Sequence, residues 1–327
     1  MAVPGQHLFT PLVLNLWVKG STARATVVEV ERGTTLRNSD FPVSSHLIPL
    51  LGSKKRACEN LLQYGRYEEI RNAMKDMGGL VYTNVFVPLR LEHLFSEGGY
   101  RISVHVQNQA RAIPVELAYH DRFVFETNIV SLRGKNDPPA DRVVVERVLI
   151  IADPTTRFKW ALREGMMLYD FFVSKGLSVL LVSRPLTRQR LLELFSTAHI
   201  VHFCGHVASH ASCNGWDIGT GLFNGSDCDR LGRTPDLVFS SGCGNTLPLG
   251  LRFLTAGVRN CICTRWQIPD TDICSFVLAF YECLLRVGDI GLAFQYSMKG
   301  RYARGETLPL IFALQGESGI RYEESDF

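Results

Sequence analysis

Long hydrophobic runs, blocks of one charge and paired cysteine motifs are all missing from this chain of 327 residues. Nothing approaches the roughly 18 consecutive apolar residues that mark a membrane-spanning helix, so no membrane partner is expected. The formal net charge is +3, with no run of like charges, and composition therefore gives no support to nucleic-acid or membrane-surface binding. The amino terminus, MAVPGQHLFTPLVLNLWVKG, has no basic start before its apolar run. It makes a poor secretory signal, and the expected location is cytoplasmic. There is no G-x-x-x-x-G-K phosphate loop and no G-x-S-x-G elbow. A C-x₅-R phosphatase loop starting at Cys243 would need arginine where Leu249 stands. No cofactor is called for.

Hydrophobic residues make up 46% of the chain, enough for one large or two ordinary domains with ample core. Cysteines number nine, an odd count, and all but Cys58 follow residue 200. Cys204, Cys261 and Cys263 sit inside apolar runs and read as reduced core thiols, because a disulfide framework is not expected in a domain this large.

The first part is the less regular. Leu12–Val18 and Ala25–Val30 look like strands, Ala57–Met77 like a helix, and Tyr100–Val106 and Arg122–Ile129 like further strands. The polar, proline-bearing run GKNDPPADR at 134–142 reads as a linker. Strand and helix patterns then alternate. Val148–Ala152 is an apolar run stopped by Asp153-Pro154, and Thr156–Lys175 carries Ala161, Gly165, Leu168 and Phe172 at helical spacing. Leu177–Val182 (strand), Arg188–Phe195 (helix), Leu247–Ala256 (helix), Val258–Thr264 (strand) and Thr271–Val287 (helix) continue the pattern. This alternation predicts an α/β fold, a mostly parallel central sheet with helices on both faces, preceded by a smaller α+β region. The boundary is expected at the linker, giving a supporting region over 1–142 and a site-bearing domain over 143–327.

Two apolar runs each end in a reactive side chain, His206 after Ile200–Cys204 and Cys243 after Leu237–Ser241. Function collects at the carboxyl ends of parallel strands. A thiol is a strong nucleophile only as thiolate, and a neighbouring imidazole supplies the base. Gly205, Gly242 and Gly244 flank the pair and let backbone approach a substrate closely. The backbone N–H groups of Gly205, Val207 and Cys243 are the candidate oxyanion donors. The bland alternative is one more buried thiol and a loop histidine. A dense set of zinc-capable residues, His202, Cys204, His206, His210, Cys213 and Cys228, offers a second alternative. It lacks any paired ligand spacing, and no metal is expected.

The second half resembles the CHAT domain family, caspase-like cysteine peptidases of the clan that includes caspases, gingipains and separase. Gly205-His206 and Ser241-Gly242-Cys243 carry the resemblance. So do Asp153-Pro154, Glu164, the run AGVRNCICTRWQIPD from 256 to 270, Phe312–Gly316 and, upstream, Ile113-Pro114-Val115-Glu116. The resemblance covers about residues 80–316. It implies a caspase-type three-layer sandwich and cleavage of a protein substrate by a Cys243–His206 dyad. It also implies an activating protein partner and, by analogy, a place in prokaryotic antiviral defence or cell-death signalling. Two positions depart from the family pattern. Val207 stands where glycine usually follows the histidine, and Gly244 where glutamate often follows the cysteine, so a catalytically inactive scaffold module is the alternative. Ser241, Trp266, Asp270 and Asp272 are candidate substrate contacts. Ser241 stands where related peptidases place an aspartate that selects a basic residue. Trp266 reads equally as a groove aromatic or a core side chain, and Asp270 and Asp272 equally as receivers of a basic side chain or as helix caps.

Overall fold

The computed structural model describes residues 9–133, 142–210, 213–266 and 273–324. The chain divides into two compact units, Met1–Asn136 and Asp137–Phe327. The run read as a linker lies, apart from Arg142, outside the described residues.

In the first unit, residues alternate between buried and half-buried from Leu12 to Val18 of Thr10–Lys19 (β1), the mark of a strand with one face on a core. Thr22–Glu29 (β2) and Thr34–Pro42 (β3) continue an antiparallel meander from it. The pattern of β1 and β2 matches their sequence signal. β3 carries almost no apolar signal because most of it is solvent-exposed. Leu47–Gln63 (α1) and Tyr67–Val81 (α2) follow, where a single helix over 57–77 was expected. The break falls at Gly65, whose φ of 66° an α-helix cannot contain. Both helices bury one apolar stripe, Leu47, Leu51, Cys58 and Leu62 on α1 and Ile70, Met74, Met77 and Val81 on α2. After the short helix His93–Ser96 (α3), Tyr100–Asn108 (β4) pairs in parallel with β1. Tyr119–His120 (β5) and Arg122–Phe123 (β6) form a small ladder, and Ile129–Arg133 (β7) pairs in parallel with β4. The strand expected over 122–129 is therefore interrupted by a turn of 3₁₀ helix at Val124–Glu126.

The second unit opens with Arg142–Val145 (β8), which pairs with the last strand. Arg147–Ala152 (β9), Lys159–Ser174 (α4), Ser178–Val182 (β10), Arg188–Phe195 (α5) and Ile200–Cys204 (β11) then alternate as the sequence predicts. α4 starts later than expected. Asp153, at φ 45°, turns the chain so that its own carboxylate accepts the N–H groups of Arg157 and Phe158 at 3.0 and 2.8 Å. That local bonding compensates the strained dihedral. Between β11 and Leu237–Ser240 (β15) the chain forms an antiparallel meander. It comprises Val207–His210 (β12), Cys213–Asp217 (β13) and Leu222–Asn224 (β14), followed by the single turn Gly225–Cys228 (α6). Leu247–Ala256 (α7), Asn260–Thr264 (β16), Cys274–Val287 (α8), Ile290–Ala303 (α9), Phe312–Gly316 (β17) and Arg321–Glu324 (β18) complete the chain.

The sheet of this unit runs β10–β9–β11–β15–β16–β17, parallel except for β17. Each strand presents alternate residues to opposite faces. Leu149, Ile151, Val201, Phe203, Val238, Cys261 and Cys263 share a core with α5, α7 and the meander. On the other face Phe239 meets Phe280 and Tyr281 of α8, and Gly165 of α4 lies against Ala152 and Ile150. The chain goes from β9 outward to β10 and then back past it to β11. The strand order thus reverses between β9 and β11, the place where ligand sites form in such sheets. Among the described residues no helix is long and apolar enough to cross a membrane.

Candidate active site

His206 and Cys243 are brought together by strand register. β11 and β15 pair with an offset of 37 residues, Ile200 opposite Leu237 and Phe203 opposite Ser240. The ladder continues past both strand ends, with Ser241 N–H donating to Phe203 C=O at 2.9 Å and Cys243 N–H to Gly205 C=O at 3.1 Å. His206 and Cys243 are separated by the same 37 positions, so they face each other across that extension. His206 Nδ1 lies 2.9 Å from Cys243 Sγ, and both residues are half-buried at the carboxyl rim of the sheet. An imidazole nitrogen at this distance can take the thiol proton directly.

Several groups hold the pair in place. Phe158, immediately before α4, stacks on the His206 ring at 5.3 Å with the planes 9° apart. Asp217 N–H donates to His206 C=O at 2.9 Å, tying the histidine to the meander. Trp216 stacks on Phe203 at 4.4 Å and donates its indole N–H to Ser240 Oγ at 2.9 Å. One side chain of the meander therefore grips the histidine strand and the cysteine strand together. Val207 packs over the turn that bears the cysteine. A Cβ at Gly242 would come within 2.4 Å of Val207 Cγ2, and one at Gly244 within 2.7 Å of Val207 Cβ. The two departures from the family pattern are thus one packing arrangement: valine at 207 fills the space that a side chain at 244 would occupy.

Below the dyad, on the α4 and α8 face, lies a buried polar network. Ser241 Oγ donates to Glu164 Oε1 at 2.6 Å, His202 Nε2 lies 2.7 Å from the same oxygen, and His202 Nδ1 lies 3.0 Å from Tyr281 Oη. Burial drives the Tyr281 hydroxyl well above its ordinary pKa, with the Glu164 carboxylate adding to the effect. The Cys204 thiol is likewise pushed far up by burial, then by Glu164, so it is an inert core thiol.

The other predicted site residues fare differently. Ser241 is only 7% exposed and its hydroxyl donates to Glu164. Trp266 is 4% exposed, in keeping with the core reading rather than an open groove aromatic. Asp270 and Asp272 lie outside the described residues. Of the candidate oxyanion donors, the Cys243 N–H donates to Gly205 C=O. Of the zinc-capable set, His206 is paired with Cys243, and Cys228 Sγ sits 3.5 Å from Asn224 C=O. The side chains of His210 and Cys213 lie outside the described residues. Among the described residues, His202 and Cys204 do gather with Glu164, donor atoms within 4.8 Å of one another. His202 Nε2 and Glu164 Oε1, at 2.7 Å, are within hydrogen-bond distance of each other. Phe158 gave no signal in the sequence. It reaches His206 only through the Asp153 turn.

A parallel sheet covered by helices on both faces, with histidine and cysteine abutting at its carboxyl rim, defines a site of the caspase-like type. The profile of the CHAT domain matches residues 75–302, and the chain belongs to the CHAT domain family. No curated protein sequence matches it. Among solved structures it is similar to separase of Saccharomyces cerevisiae, in two crystal structures of the separase–securin complex. One gives a TM-score of 0.64 over 97% of this chain, the other 0.67 over 96%, both at 10% identity. The chain spans under a third of the length of those separase chains, 31% and 30%. At that identity the likeness establishes the fold.

Proposed function

We propose that the chain is a cysteine endopeptidase that cleaves a specific protein substrate with the Cys243–His206 dyad. The observation that carries this reading is the 2.9 Å contact between Nδ1 and Sγ at the carboxyl rim of the sheet, set by the ladder rather than by loop conformation. In the reaction, Cys243 Sγ attacks the scissile carbonyl carbon as its proton passes to His206 Nδ1. The tetrahedral intermediate collapses, expelling the amine, which takes that proton. Water, deprotonated by the same imidazole, then hydrolyses the thioester. The oxyanion is stabilised by backbone N–H groups of the Gly205–Val207 segment and of Cys243. For Cys243 this requires exchanging its bond to Gly205 C=O for one to the substrate. That exchange is a natural point of control, and we assign it to an activating protein partner, in a cytoplasmic defence or cell-death pathway. The dyad needs no metal or cofactor.

The same engaged amide favours a second reading, a non-catalytic interaction module locked by Val207. A thiol-directed peptidyl probe and mass-spectrometric mapping of cut sites, with candidate partners added, separate the two. Cleavage by the wild type should disappear in Cys243→Ala, with the fold retained. Cleavage that persists in Cys243→Ala refutes the assignment, and inertness under every condition favours the module.

A further inference from the structure

Helix α4 has two faces, and both bear on the dyad. Its inner face buries Ala161, Glu164, Gly165, Leu168 and Phe172. Its outer face exposes Leu162, Met166, Tyr169 and Val173, at 37%, 54%, 37% and 47%. Their spacing of four, three and four residues is the seam of a helix pair, the pattern that keeps an apolar stripe facing a second helix. Solvent alone gives no reason for such a stripe on a helix whose core contacts are already complete. Around it the exposed charges are mostly basic: Arg157, Lys159, Arg163 and Lys175, against Asp170. Lys159 and Arg163 lie over the Trp160 ring at 5.9 and 5.0 Å, which fixes the basic border beside the stripe. A second copy of this chain would bring the same sign of charge and be repelled. A helix with an apolar seam and acidic flanks satisfies both features.

We infer that the outer face of α4 docks an acidic amphipathic helix of a partner protein, and that this docking adjusts the dyad. The coupling, which rests on the peptidase reading, follows from two contacts. Phe158 enters α4 and stacks on His206, and Glu164, one turn inside the helix, holds Ser241, two residues before Cys243. A shift of α4 under a docked helix is therefore transmitted to the imidazole from above and to the cysteine turn from below.

The test uses a fluorescein-labelled synthetic helix about three heptads long, with leucine seam positions and glutamate flanks, and a sibling with lysine flanks. Binding to the protein is read by anisotropy. The wild type should bind the glutamate peptide. The lysine sibling, and the variant Met166→Lys/Val173→Lys, should each bind about tenfold more weakly or worse. Both substituted residues are exposed, and an unchanged melting temperature verifies the fold. Equal binding by either control overturns the docking surface, as does wild-type dimerisation in sedimentation that Met166→Lys abolishes. Cys243→Ala should bind the peptide like the wild type, so docking is judged separately from cleavage. Saturating peptide should change the rate of Cys243 alkylation by iodoacetamide by about threefold or more. Phe158→Leu should lose that change while still binding, and a rate insensitive to bound peptide overturns the coupling.

Discussion

Replacing Gly244 with alanine tests whether Val207 and Gly244 form one packing unit. The new Cβ would meet Val207 Cβ at 2.7 Å and Cγ1 at 2.9 Å, with the Val207 carbonyl oxygen at 3.2 Å. Real Cβ atoms do not tolerate the first two distances, and β-branched valine has little rotameric freedom with which to retreat. Overpacking of this kind costs about 1–3 kcal/mol. In a Val207→Gly background both clashing atoms are gone and only the 3.2 Å contact remains, so the same alanine should cost under about 1 kcal/mol. The expected coupling energy is therefore about 1–2 kcal/mol, beyond the roughly 0.5 kcal/mol within which independent sites add. Urea unfolding of the wild type, both single variants and the double variant completes the cycle. The size of the Val207→Gly effect itself does not matter, since the cycle cancels it. Additive destabilisation, with Gly244→Ala equally costly in both backgrounds, refutes the reasoning and leaves the two departures as unrelated substitutions.

Glu164→Ala should leave His202 and the Ser241 hydroxyl without their common acceptor. Leaving a buried donor unsatisfied costs about 1–3 kcal/mol, and an unchanged urea midpoint would contradict the network. Iodoacetamide on the native protein should modify Cys243 well before Cys204, Cys261 or Cys263, which are buried and whose thiol pKa values burial raises. Peptide mapping showing Cys204 modified as fast as Cys243 would refute the placement. His199 Nδ1 accepts the N–H groups of Glu146 and Arg147 at 3.1 and 3.3 Å, and burial lowers its pKa below the ordinary 6.5. The folded state then binds fewer protons than the unfolded one. This contribution to stability is complete above pH 6.5 and is lost as pH falls below it. His199→Asn, which keeps an acceptor and cannot titrate, should flatten the fall of melting temperature in that window. An unchanged slope counts against the assignment.

The strands that carry the dyad were legible in the sequence because both are covered on both faces. A doubly covered strand reads as a continuous apolar run ending where the chain surfaces. The same logic exposed β9 and β16, whereas β10, a partly exposed edge strand, was legible from its short apolar run alone. β3 escaped because an exposed edge strand has no apolar period to read. The β12–β14 meander escaped for a related reason: its strands are short and polar, and among the described residues Trp216 and Phe223 are buried in the core with Val207 packed against it. Ser241 looked like a surface group because serine is a small polar residue beside a nucleophile. Its partner, Glu164, lies 77 positions away and reaches it only once α4 lies on the sheet. Phe158 needed an aspartate in a left-handed conformation to turn it onto His206, and no periodicity encodes that.

Because the β11–β15 ladder fixes where imidazole and sulfur meet, the length of polypeptide joining them is free to change. Doubling a flexible connection adds only about 0.6 kcal/mol of closure entropy. Insertions at the exposed Gly232–Arg233 turn between α6 and β15 should thus leave the reactive pair undisturbed, provided the indole that clasps both strands stays. This makes that turn a tolerant site for a graft or a label, at the end of β15 opposite the chemistry.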